Sequence, residues 1–405
     1  MEKRASKYIR NVVTCPLFLL ELVPGLPAGA HPVPPVTVPF VWGWNAFGQL
    51  GDGSVASRTK PHALTGLVGA RAVAAFGTHS LALAADGHVW AWGSNDRGQC
   101  GNPADVDTRS PVQVRDISDV VAIAAGHDHS LALKSDKTVW AWGKNDNGQL
   151  GNNTRVGGAS PVHVSSLDGS NVMAIAAGDE HSLALTSDGA VCAWGKNENG
   201  QLGMGDVARR LVPVKVNGLG QVSAIAAGCD HSLVLMADGT VQAWGRNMNG
   251  ELGVGDGVRR LTPVPVIGLV GVSAVAAGFY HSLALMADGT VRAWGHNGFG
   301  QVGDGTQRDK AIPVRLGQVS GVGAIAAGAY HSMALEPRRA LWTWGANNQG
   351  QLGFDTQGSA AFTPVRRAFI PGFTAIAGGH DHSLALGAVI VASGLKKDLS
   401  SLFTR

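Results

Sequence analysis

The side chains with the widest chemical reach in this sequence are histidines that return at a fixed spacing. His79, His129, His181, His231, His281, His331 and His382 each open the word His-Ser-x-x-Leu. Imidazole is a general base and a common metal ligand, so such a set points first to metal chemistry. The spacing argues otherwise. Ligands of one ion must all come within about 2 Å of it, whereas these histidines recur about every 50 residues, each opening an equivalent segment beside a Ser. Their expected work is structural, tying neighbouring backbone together by hydrogen bonds. Cys15, Cys100, Cys192 and Cys229 show no Cys-x-x-Cys spacing and form neither a disulfide framework nor a zinc site. There is no Gly-x-Ser-x-Gly, no P-loop, no His-Glu-x-x-His and no paired carboxylates outside the repeated pattern. The expectation is a protein without catalytic residues, metal or cofactor.

What differs between the copies is more informative than what recurs. The two residues before each repeated histidine are Gly77-Thr78, His127-Asp128, Asp179-Glu180, Cys229-Asp230, Phe279-Tyr280, Ala329-Tyr330 and His380-Asp381. Large aromatic side chains beside carboxylates are what a protein-binding patch requires. We therefore assign partner binding to Asp128, Asp179, Glu180, Asp230, Phe279, Tyr280, Tyr330 and Asp381. A second variable set carries Arg58, Lys60, Arg109, Arg155, Arg209, Arg210, Arg259, Arg260, Arg308 and Lys310. It reads as solvated loops, or as a basic collar for acidic partners, on a loop set opposite the first. Asp52, Asp206, Asp256, Asp304 and Asp309 lie among these cations.

These residues must be held by repeated elements. A second word, Trp-Gly-x-Asn-x-x-Gly-Gln-Leu-Gly with small variations, opens at Trp42, Trp92, Trp142, Trp194, Trp244, Trp294 and Trp344, with gaps of 50, 50, 52, 50, 50 and 50 residues. Between the two words lie short apolar runs flanking Asp-Gly, as at Asp86-Gly87, Asp238-Gly239 and Asp288-Gly289, which is a strong hairpin signal. Upstream runs such as Val121–Ala125 and Pro111–Val114 bring the unit to four short strands, and no copy holds a ten-residue segment of helical period. Four strands per repeat with glycine-rich turns describe a propeller blade. The prediction is an all-β, seven-bladed β-propeller with four-stranded blades.

The ends predict how the ring closes. Trp42 carries its marker with no His-Ser hairpin partner before it, and the segment at 382–386 has lost its partner after it. The N-terminal strand, 36–42, should therefore complete the last blade beside 382–386 and remove two exposed edges. The propeller should span 31–394. Residues 1–30 combine Lys3, Arg4, Lys7 and Arg10 with an apolar run and Ala28-Gly29-Ala30, the layout of a signal peptide, although Glu21 interrupts it. They imply a secreted or periplasmic chain; a disordered leader on a cytoplasmic protein is the alternative. Residues 395–405 read as a short amphipathic tail or a frayed end. With 32 Lys and Arg against 29 Asp and Glu, the net charge of +3 offers no general field for nucleic acid. No run of 18 apolar residues spans a membrane. A monomer that binds a protein partner is expected.

The words His-Ser-Leu-Ala-Leu, Ala-Trp-Gly-x-Asn-x-x-Gly-Gln-Leu-Gly and Ala-Ile-Ala-Ala-Gly resemble the repeat of the regulator of chromosome condensation family over about residues 36–394. The resemblance implies a seven-bladed propeller. It also implies a guanine nucleotide exchange factor for a small Ras-like GTPase as the second functional reading, since founding members use acidic and His residues before the His-Ser strand. Asp128, Glu180, Asp230 and Asp381 occupy those positions. Founding members also carry a wedge inserted in one blade, and here no repeat is more than two residues longer than the others. A plant photoreceptor of this family uses tryptophans interleaved with arginines, a pattern not matched here. A secreted relative inhibits β-lactamases through aromatic loop residues, which Tyr280 and Tyr330 resemble. Inhibition of a secreted enzyme is accordingly a third reading.

Overall fold

A computed structural model describes residues 36–103, 106–337, 340–368 and 372–389 of the chain. The leader 1–30 and the tail 395–405 assigned above, with residues 31–35 and 390–394 of the predicted propeller, lie outside the described residues. The described chain forms seven four-stranded antiparallel sheets. Blade 3 shows the plan. Val120–Ala125 lies innermost, followed outward by His129–Lys134, Val139–Gly143 and Gly158–His163. Innermost strands of adjacent blades pack against one another around the axis. Their Ala-Ile-Ala-Ala words fit that place, because seven strands converging on one axis leave room for little more than methyl groups.

Outward from the axis the blades become a conventional packed core. Trp42, Trp92, Trp142, Trp194, Trp244, Trp294 and Trp344 are all fully buried. Each indole reaches into the junction with the preceding blade, where its Nε1–H donates to a main-chain carbonyl of the Gly-Gln-Leu-Gly turn, as in Trp142 Nε1 to Gln99 O at 2.9 Å. The serine after each repeated histidine donates to that same oxygen, with Ser130 Oγ to Gln99 O at 2.9 Å.

The histidines complete this lock. His79 Nε2 lies 2.9 Å from Ser130 Oγ, His129 Nε2 lies 2.9 Å from Ser182 Oγ, and the series continues to His382 Nε2, 2.8 Å from Ser80 Oγ. The serine's only proton is committed to the carbonyl, so the imidazole must donate from Nε2. Nδ1 is then a bare acceptor, and it has no hydrogen-bond partner in any of the seven. The expectation of main-chain ties is refined: each histidine grips the next blade's serine side chain, and the serine grips main chain of the preceding blade. The glycine that usually ends the inner strand is required by this ring. A Cβ on Gly126 would fall 2.4 Å from His129 Nδ1.

The ring closes as the ends predicted. Val36–Gly43 pairs antiparallel with His382–Val389 over its whole length, from Val36 opposite Val389 to Gly43 opposite His382. Arg58–Ala63 and Phe373–Gly378 complete blade 1. Trp42 Nε1 donates to Gln351 O at 2.9 Å, so the N-terminal strand makes the same junction with blade 7 that the other tryptophans make elsewhere.

Candidate functional site at the channel mouth

The register of each blade decides where its variable residues go. His129 lies opposite Gly143, so the loop before the histidine and the loop after Trp-Gly leave the blade at the same end. The main-chain N–H of the residue after Trp-Gly then donates to the carbonyl of the residue before the histidine. The distance is 2.8 Å for Lys144 to Asp128, Lys196 to Glu180 and Arg246 to Asp230, and 2.7 Å for His296 to Tyr280. Gly143 permits this closeness: its φ is +102°, and a Cβ there would lie 2.5 Å from Asp128 O. The two variable positions thus form concentric rings around one mouth of the channel. The arginine-rich loops follow Trp-Gly on the same side and form an outer ring there. The reading that set them on an opposite face is corrected by the strand direction.

At the centre, Phe279 fills the mouth. Its ring centroid is 5.1 Å from Phe76, 5.0 Å from His380, 5.9 Å from Tyr330 and 6.0 Å from His127, so one side chain of blade 6 touches rings from four other blades. It is only 7% exposed. Phe279, assigned above to the partner-binding set, is therefore a plug that supports the surface from beneath. Tyr280 and Tyr330 remain half-buried and face each other at 6.4 Å. Tyr330 extends the aromatic sector to Phe299 at 5.2 Å, and Phe299 is 46% exposed. The Arg246 guanidinium lies 4.2 Å over the Tyr280 ring and pairs with the buried Glu251.

The acidic residues gather on blades 3 to 5. Lys144 Nζ is 2.5 Å from Glu180 and 4.0 Å from Asp128, and Lys196 Nζ is 3.6 Å from Glu180 and 3.4 Å from Asp230. Burial works against ionisation of Glu180, but the Lys144 hydrogen bond and both lysine charges hold its carboxyl below the usual range. Asp128 is held low in the same way, against its burial, by His127 at 3.1 Å and by Lys144. Asp179 differs. Burial pushes its carboxyl up, the Glu180 and Asp230 charges add to that, and its nearest base, His127, stands 3.9 Å away. Asp230 is buried, and Gln201 Nε2 donates to it at 2.7 Å. Asp381 stands apart from this network, held by His380 at 2.6 Å and by Gln351 Nε2 at 2.9 Å. The packing of His380 on Phe279 links it to the aromatic sector.

The structure thus brings Asp128, Asp179, Glu180 and Asp230 into one network and Phe279, Tyr280 and Tyr330 into one cluster. Sequence reasoning missed Lys144, Lys196 and Arg246. Their signal was the first variable position after Trp-Gly, which reads Trp44, Ser94, Lys144, Lys196, Arg246, His296 and Ala346. Cys229, at the base of the mouth, has its thiol pushed up by burial and by the Asp179 and Asp230 charges, so it is a poor nucleophile. Among the described residues no group of three or more His, Cys, Asp or Glu is arranged to hold a metal ion. In the outer ring, Arg58, Arg210, Arg260 and Lys310 pair with Asp52, Asp206, Asp256 and Asp304 at 2.5–2.7 Å, so much of the collar is neutralised locally.

Comparison with known proteins agrees with this architecture. The RCC1-like domain profile matches residues 157–394, and the regulator of chromosome condensation (RCC1) repeat profile matches 40–83 and 86–133. The ultraviolet-B receptor UVR8 of Arabidopsis thaliana is 51% identical over 51 residues, covering 13% of this chain and 12% of that protein. The chain thus matches about an eighth of that relative's length. The structure of Prp20p from Saccharomyces cerevisiae, described with its binding properties to Gsp1p and histones, superposes with a TM-score of 0.79 at 26% identity. That match covers 89% of this chain and 94% of Prp20p. Human WBSCR16 superposes with a TM-score of 0.79 at 25% identity, covering 88% and 100% of the two chains. With the repeat geometry and the family profile in agreement over more than half its length, this chain belongs to the RCC1-like domain family.

Proposed function

We propose that this propeller is a non-enzymatic scaffold that binds a protein partner on the face carrying the pre-histidine loops. The observation that supports this is the distribution of differences among seven copies of one unit. The inter-blade lock is the same in every blade and can encode no partner, whereas the residues that vary sit side by side around one mouth. Half-buried Tyr280 and Tyr330 next to a carboxylate network provide rigid apolar contact beside charge, the composition of interface centres. The test is a pull-down with the full chain and with a Tyr280→Ala, Tyr330→Ala variant. A protein captured by the first and not by the second supports the reading; equal capture by both counts against this face.

A second reading, nucleotide exchange on a small GTPase, is favoured by the likeness to Prp20p, whose reported binding to Gsp1p concerns a protein covered over 94% of its length. Exchange would proceed by opening the nucleotide site without covalent chemistry. A nucleotide-release assay with Gsp1p separates the readings, since acceleration by catalytic amounts of the propeller is expected of an exchange factor alone. Inhibition of a secreted enzyme is a variant of the binding reading and goes with export. In that case intact-mass analysis of protein recovered outside the cytoplasm should give a chain beginning at His31.

A further inference from the structure

The clefts between blades on the side of the ring, at the hairpin end away from the mouth, are built from three repeat positions. One is the second residue after the outer strand of one blade. The other two come from the next blade: the end of its His-Ser strand and the residue two before the Trp of Trp-Gly. Across successive clefts from blades 1 and 2 to blades 6 and 7 these read Thr65, Ala84, Trp90; Arg115, Lys134, Trp140; Ser165, Thr186, Cys192; Asn217, Met236, Gln242; Ile267, Met286, Arg292; and Gly317, Glu336, Trp342. Among these six, only the cleft between blades 2 and 3 combines two cations with an indole. In the cleft between blades 6 and 7 the indole is already held, with Trp342 Nε1 donating to the Glu336 carboxylate at 2.7 Å.

The cleft with that combination is an open cavity of ≈ 820 Å³, backed by Val114 and Ile117 and lined by Arg115, Lys134, His88 and Trp140. That volume falls within the usual range for small-molecule sites. The Trp140 ring is half-buried and stacks on His163 at 5.2 Å, which fixes its orientation. The Lys134 ammonium lies over the Trp140 ring, 5.8 Å from its centroid, so a bound ring would share that face with the lysine, and Arg115 is exposed. Neither cation forms a salt bridge among the described residues. The carboxylates nearby are Asp116 in the lining, Asp86, which lies 3.2 Å from His88, and Asp136, whose ionisation feels the Lys134 charge. A fixed aromatic face beside two cations suits a planar aromatic ring carrying a phosphate, because guanidinium and ammonium groups both favour phosphate oxygens.

We propose that this cleft binds a small aromatic phosphate of the nucleoside monophosphate class, with its ring against Trp140 and its phosphate between Arg115 and Lys134. The site lies away from the mouth and does not depend on the protein-binding reading. Titration calorimetry of the full chain with AMP, adenosine and inorganic phosphate tests it. Saturable AMP binding is expected, with adenosine and phosphate each at least about tenfold weaker. Substitutions borrowed from other blades, Arg115→Asn, Lys134→Met and Trp140→Gln, leave packing close to that already present in blades 4 and 5. Each should weaken AMP binding by about tenfold or more with an unchanged thermal midpoint. The proposal is overturned if AMP gives no saturable heat at millimolar concentration, if phosphate alone binds as well as AMP, or if the three variants bind AMP like the parent.

Discussion

The ring of buried histidines should make this fold acid-labile in a calculable way. Burial lowers all seven imidazoles, to about 3 for His129, His181, His231, His281 and His382 and to about 4 for His79 and His331, where the Asp128 and Asp381 charges oppose it. The structural reason is the tautomer: a second proton would have to sit on Nδ1, which in every one of these histidines but His79 packs against glycine and has no acceptor. In the unfolded chain each returns to about 6.5. Because the folded values are depressed, the stabilisation is complete above pH 6.5 and is lost as pH falls from there toward 3 to 4, the unfolded chain binding more protons. At pH 5 each histidine then costs about 2 kcal/mol relative to neutral pH, and the set about 14 kcal/mol, comparable to the whole stability of a typical domain. His127 is shifted the other way, against its burial, by Asp128 and Asp179, and returns a small part of this. Urea unfolding at 25 °C across pH 7 to 5, followed by tryptophan fluorescence, should show stability collapsing near pH 5. Proton uptake on unfolding should approach seven, and His129→Gln should lower that uptake by about one. Stability that is flat between pH 7 and 5, or an uptake below about two protons, refutes the reasoning.

Other consequences of the ring are equally open to measurement. Deleting residues 31–44 removes the strand paired with His382–Val389 together with the buried Trp42, and loss of the indole alone costs about 3–5 kcal/mol. Calorimetry of this truncation should show no cooperative transition; a normal melt would mean that closure by this strand is dispensable. Ser182→Ala leaves the His129 Nε2–H buried without an acceptor and should cost about 1–3 kcal/mol in urea unfolding, whereas Val156→Ala, 76% exposed, should cost little.

The fold was legible because the repeat states it seven times. Two fixed words and an Asp-Gly hairpin set the strand number, and the unmatched ends at Trp42 and His382 set the closure. The site was legible only in part. The pre-histidine pairs could be found by variation, but variation does not report depth: Phe279 and Tyr280 are neighbours in sequence, yet one plugs the axis while the other stays partly open. Lys144, Lys196 and Arg246 were overlooked because they lie inside a repeated word and reach the mouth only through antiparallel register. Strand direction, which a list of loops does not contain, also decided that the arginine-rich loops share this face. The tautomer of the histidines required the geometry of the shared carbonyl.

The affinity of the Tyr280→Ala, Tyr330→Ala variant for the protein captured by the parent chain tests the central claim most directly. Calorimetric titration should show a loss of about 2 kcal/mol or more, roughly thirtyfold in Kd, with little change in melting temperature. Full affinity in that variant, with affinity lost when Arg209, Arg210, Arg259 and Arg260 are replaced by Ala, would contradict the account and place recognition on the outer ring.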